Sequence, residues 1–281
     1  MQFLRIIKHD LEEGIWEKRV YFLLPVLLSL FSCSGLHTQL VNLQKAESIQ
    51  SLGTIMDYWI YMVQGSAPFE FDLYELFTVP TRWVGLFLFL LISLNGYLNN
   101  DLKGWGIQVL THSKSRLAWW LGKVAWCVLY TIVYFAIYFF IIFLFSFSNG
   151  AKISLQPTAD IMQILAREDF ALYPIQQILC ITIIQPFLLA LFFGLLQMAI
   201  GLYIKPILSF VALLTILLAS AYWQTWLLPG NWGMPNRTIP IFDNGFLPSV
   251  CIALLLSGIL ICIITGYFIF KKKDILEETE T

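Results

Sequence analysis

Residues 124–147 read VAWCVLYTIVYFAIYFFIIFLFSF, twenty-four positions without a charged side chain. A helix needs about 20 mostly apolar residues to cross the hydrocarbon core of a bilayer. This run meets that length with residues to spare, and it reaches back to Leu117 if Lys123 lets its ammonium snorkel at the interface. Working outward, five more uncharged stretches of comparable kind appear: 20–36, 83–99, 175–203, 207–227 and 246–270. The second of these is among the shortest and carries Ser93, Asn95 and Gly96; the third carries Pro186 near its middle, which predicts a kink.

Composition agrees with a membrane solvent. Of 281 residues, 58% are apolar and 12% charged, with 23 Phe, 12 Tyr and 10 Trp; a soluble domain carries roughly 25% charged residues. The fold class read from this is an all-α integral membrane protein with six transmembrane helices and no sizeable soluble domain. The net charge of −1 implies no nucleic acid partner. Cys33, Cys127, Cys180, Cys251 and Cys262 all lie in apolar runs without C-x-x-C spacing, so no disulfide framework is expected.

Lys and Arg set the orientation. With the N-terminus inside, twelve of the seventeen basic residues are cytoplasmic: Arg5, Lys8, Lys18, Arg19, Lys103, Lys114, Arg116, Lys123, Lys205 and Lys271 to Lys273. The outer segments then hold Lys45, Arg82, Lys152, Arg167 and Arg237 with nine acids, Asp57 among them. Six spans place both termini in the cytoplasm. Residues 1–19 mix acids and bases in a way no secretory signal does. They space Phe3, Ile7, Leu11 and Ile15 by four, the pattern of an amphipathic helix lying in the interface. The chain thus divides into an elbow helix (1–19) and a single six-helix domain (20–281). The outer stretch 69–77, FEFDLYELF, fits a strand or an interfacial helix equally, and the segment before the last span, dense in Pro, Gly and Asn, reads as irregular.

The proposed span centres carry no Asp, Glu, Lys, Arg or His, the groups that ion-driven transporters and intramembrane enzymes place at depth. Their polar residues are mild: Asn95 and Asn99 in the second span, Thr182, Gln185 and Gln197 in the fourth. Interhelical hydrogen bonding is the commoner use of such residues; lining a substrate path is the sharper reading. His9, His37 and His112 lie near or outside the membrane surface, and no H-E-x-x-H, G-x-S-x-G or phosphate-loop motif is present. The chain is therefore not expected to be an enzyme by itself or to bind a cofactor. It reads as a channel, a scaffold, or the membrane half of a machine powered elsewhere.

One cytoplasmic segment has apolar residues to spare: NNDLKGWGIQVLTHSKSRLAWWLGK, residues 99–123. Asp101 and Lys103 close the second span, Gly104 and Gly106 permit a turn, and Trp105, Ile107, Val109 and Leu110 would be costly in water unless docked. Ser115 and Arg116 then lead to Gly122 and Lys123. This layout resembles the type-2 ABC exporter permeases (the ABC-2 family), which have six spans, an elbow helix and a coupling helix between spans two and three. The resemblance implies a permease subunit in a cell membrane, of bacterial type. It would move an amphipathic or apolar substrate outward, a bacteriocin-like antimicrobial peptide or a lipid-like compound. A separate cytoplasmic ATPase subunit would hold ATP and Mg and press on Asp101 to Leu110, and a second permease, identical or a sibling, would complete the pathway. Gly258, Cys262 and Gly266, spaced by four, suit close approach of another helix, from that second copy or from this chain. The competing reading is a polytopic scaffold or sensor.

Overall fold

A computed structural model describes residues 14–16, 18–49, 51–69, 77–104, 106, 115–166, 173–239, 241–242 and 244–273. Among these residues the chain is mostly helical, with two isolated β-bridges and no strand. Most of the elbow segment and of the 69–77 stretch lies outside them.

A 3₁₀ turn, Arg19–Phe22, leads into helix α1, Leu23–Lys45. It continues beyond the apolar run expected to end at residue 36, because Leu36 and Leu40 still face the core. Then follow α2, Ile55–Val63; α3, Thr81–Leu94; α4, Tyr97–Lys103; α5, Arg116–Ser148; α6, Ala159–Ala166; α7, Ile175–Gly201; α8, Pro206–Tyr222; and α9, Pro248–Lys272. Five helical stretches are long and apolar enough to cross a membrane: Arg19–Lys45, Thr81–Lys103 (taken across its break), α5, α7 and α9. Helix α8, at 17 residues, is apolar but shorter. Outward faces of these helices are hydrocarbon, as lipid requires: Phe31 is 74% exposed, Leu260 59% and Phe268 54%. Helix α7 sits at the centre, packed on α8, α9, α3 and α5. The glycine stripe of α9 is spent inside the chain: Gly258 lies against the Phe192 ring and Gly266 against Trp120, so a side chain at either would collide.

Between α1 and α3, one stretch expected in a solvated loop is buried. Thr54 and Asp57 form a reciprocal capping box that starts α2, and every residue from Met56 to Val63 is buried. Asp57 also accepts from the Thr158 amide (2.9 Å) and hydroxyl (2.9 Å), which ties α2 to the segment leading into α6. Burial pushes its carboxyl above the usual range, against the opposing pull of these hydrogen bonds.

Helix α7 has a π turn, Cys180–Ile184, where Pro186 predicts a kink. Gln185 donates its amide to Cys180 O, five residues back, and Pro186 has no N–H to give Thr182 O. That orphaned carbonyl is taken by Trp59 Nε1 of α2 at 2.8 Å in a buried setting. Trp59→Phe is expected to destabilise the protein by about 1–3 kcal/mol, the cost of a buried unsatisfied acceptor. Pro186→Ala should remove most of that penalty by restoring the amide donor. Unfolding of the single and double variants in mixed micelles measures both.

Candidate functional site

The second span breaks at Asn95–Gly96. Asn95 is extended and Gly96 takes a left-handed φ of 74°, open to glycine at no steric cost, before α4 resumes. A broken helix leaves carbonyls without donors. Lys18 Nζ donates to Asn95 O (3.3 Å), and Gln197 Nε2 reaches from α7 to Leu91 O (3.0 Å) and Asn95 Oδ1 (3.5 Å). Beside the break is a cavity of about 20 Å³ lined by Asn95, Asn99 and Gln197, room for one water. Gln197 Oε1 is buried there without a protein partner.

Five residues past Gly96, near the end of α4, Asp101 enters a buried ion pair. Lys123 Nζ lies 2.9 Å from Asp101 Oδ2, with side-chain exposures of 0% and 8%. Trp119 Nε1 donates to the same oxygen at 2.9 Å. Trp119 and Lys123 are four apart on α5 and so share a face, and Lys123 sits over the Tyr97 and Trp119 rings. Lys123 does not snorkel: its ammonium turns inward because a carboxylate is there. Gly106 packs so close to Asp101 that a Cβ would strike the carboxylate.

Two more basic residues at this end also serve helix termini. Arg116 Nη1 donates to Phe270 O, Lys271 O and Lys273 O, capping α9, and its guanidinium lies over the Phe270 ring. Trp119 stacks on the same ring at 4.4 Å. Lys273 Nζ donates to Leu202 O beyond α7 (2.9 Å). Three helix C-termini, with their partial negative charge, thus meet three cations. At the opposite end Arg237 does the same for α8. It is fully buried, donates to Ser220 O, Ala221 O, Trp223 O, Ser66 O and Asn231 Oδ1, and burial lowers its pKa to about 10.

Of the residues expected to meet an ATPase subunit, Asp101 and Gly106 are turned inward, while Lys103 and Gly104 are exposed. Trp105, Ile107, Val109 and Leu110 lie outside the described residues. The five polar residues expected along a path are not brought together. Asn95, Asn99 and Gln197 gather at the break, whereas Thr182 and Gln185 sit more than three turns up α7, where Gln185 Nε2 donates to Pro248 O. Sequence reading missed the Asp101–Lys123 pair and the caps made by Lys18, Arg116, Lys273 and Arg237. Only the i, i+4 spacing of Trp119 and Lys123 gave a local hint.

The ion pair and the ring stack tie the end of α4 to α5 and α9. Asp101 meets α5 through Lys123 and Trp119, and α5 meets α9 where Trp119 and Arg116 contact Phe270. No curated protein and no solved structure matches the chain. Residues 52–276 match a family described as Protein of unknown function (DUF2705). That match takes in every residue of the buried network except Lys18.

Proposed function

The chain belongs to the DUF2705 family, and from the geometry around Asp101 we propose that it is the membrane-spanning permease subunit of an ATP-driven, ABC-2 type exporter. The carrying observation is the Asp101–Lys123–Trp119 anchor. The cytoplasmic segment 102–114 follows Asp101, which a buried ion pair locks to Lys123 of the third span, so a force applied to Asp101 passes to that span. A chain with no phosphate loop needs such a receiver if its work is driven by a separate ATPase.

In this reading α8 is the fifth of six spans. Its 17 residues rise about 25 Å. The exposed Tyr203 before it and Trp223 and Trp226 after it supply interfacial aromatic anchors that complete the crossing. The end with Lys18, Arg116, Lys123 and Lys273 faces the cytoplasm, and the bias of basic residues to that side doubles as the set of caps for helix C-termini. Two permease subunits and two ATPase subunits make the working assembly, and an amphipathic or apolar substrate moves outward.

The test is co-purification and ATPase stimulation with the cognate ATPase. Trp105→Asp with Ile107→Asp is expected to release the ATPase subunit, or to cut stimulated turnover at least tenfold, without changing the permease's own melting point. An intact complex with unchanged stimulation refutes the coupling assignment. Cysteines placed at 103 and 108 should react only with reagents entering from the cytoplasm.

A further inference from the structure

Where the start of α7 faces the start of α9, the structure has a cavity of about 540 Å³, within the ~300–1,000 Å³ range of small-molecule pockets. Ile181, Ile239, Leu247 and Ile252 form its walls, with Gln176, Gln177 and Cys180 along one side. None of its described lining residues carries a carboxylate, an ammonium or a guanidinium. Cys180 and Ile181 belong to the π turn, whose extra residue per turn widens the helix at this level. Gln185 Nε2, bonded to Pro248 O, ties α7 to α9 at the cavity's edge.

We propose that this cavity binds the hydrocarbon chain of an uncharged single-chain amphiphile taken from the bilayer, with the Gln176 and Gln177 amides hydrogen-bonding its hydroxyl or ester neck. The apolar walls exclude an ion, because a buried charge without a partner is prohibitively costly. Leu247 on its wall is 52% exposed, and the apolar Ile184 and Val250, close in sequence to lining residues, are exposed as well. A chain can therefore slide in sideways from lipid without crossing water. The two amides lie in the first turn of α7 and are exposed; the end of a spanning helix meets the interfacial layer of a bilayer. This site is separate from the Asp101 network and stands or falls without the transport reading.

Cys180 provides a native reporter, since it is partly exposed and the other four cysteines are buried. The experiment follows alkylation of Cys180 by N-ethylmaleimide in full-length protein held in phosphatidylcholine nanodiscs, with 1-monopalmitoylglycerol added. Labelling is expected to slow at least fivefold at saturation, with no effect of glycerol and little of ionised palmitate. Ile252→Trp, which fills the cavity, should abolish the protection. Leu247→Lys, at an exposed position that does not burden folding, should reduce it at least threefold. An unchanged rate with monopalmitoylglycerol, equal protection in both variants, or equal protection by ionised palmitate overturns the proposal. Neither ATP nor an ATPase subunit enters the measurement, so its failure leaves the coupling assignment standing, and the reverse holds too.

Discussion

Lys123→Met is expected to destabilise the protein by about 3–5 kcal/mol, and Asp101→Leu by a similar amount. Each removes the opposite charge from a buried ion. The pair is fully enclosed: Lys123 is inaccessible and Asp101 nearly so. In Lys123→Met the carboxylate keeps, among the described residues, the Trp119 indole, one neutral donor in place of a cation. In Asp101→Leu the ammonium keeps the faces of Tyr97 and Trp119, worth far less than a carboxylate at 2.9 Å. The double variant should regain most of the lost stability, since a well-packed apolar pair often matches a buried ion pair. A double-mutant cycle, by denaturant titration in mixed micelles, reads the coupling; additive single effects would sink this account. The same double variant separates stability from work. If Asp101 is the point through which force enters α5, a neutral pair folds but transmits poorly, so ATPase-coupled activity should stay low although the melting point recovers.

The apolar spans were legible because hydrocarbon length is a local property. The runs around α5, α7 and α9 state their own crossing, and the irregular stretch before α9 announced itself in Pro, Gly and Asn. The break in the second span was half-written in Asn95 and Gly96, both poor helix formers, but not the Lys18 ammonium that makes it tolerable. Helix α2 carried a readable signal, Thr54 and Asp57 flanking an apolar run, which places a helix start though not its depth. What stayed hidden was pairing at long range. Nothing local to Asp101 says that Lys123 is its partner rather than an interfacial cation. Nor does anything local to Trp59 say that it serves a carbonyl orphaned by Pro186, more than a hundred residues away. A charge count treats Asp57 and Arg237 as solvated outer charges, and both are buried.

Arg237→Ala carries the second large effect, about 3–5 kcal/mol, because one guanidinium satisfies the end of α8 almost alone. Its Nη1 and Nη2 hold the carbonyls of Ser220, Ala221 and Trp223, and Nε reaches Ser66 O across from the segment after α2. Asn231 joins by accepting from Nη1 while its own amide donates to Trp223 O and Thr225 O. Truncation strands several buried acceptors at once and leaves a void among them. Lys should rescue less than half of the loss. An ammonium has three donors on a point and cannot span a set of acceptors matched to a planar five-donor fork. Burial lowers the Arg237 pKa from the ordinary guanidinium range to about 10. The unfolded chain therefore binds the extra proton only above about 10, and the group adds stability with rising pH only there. Between pH 6 and 9 both states are protonated, so the Ala penalty should be flat across that window. A penalty that changes steeply with pH there would mean that Arg237 is not the buried cation described. Because the fork joins residues 66, 220–223 and 231, the loss should also appear as faster proteolysis within residues 223–247, with the Lys18 and Arg116 end unaffected.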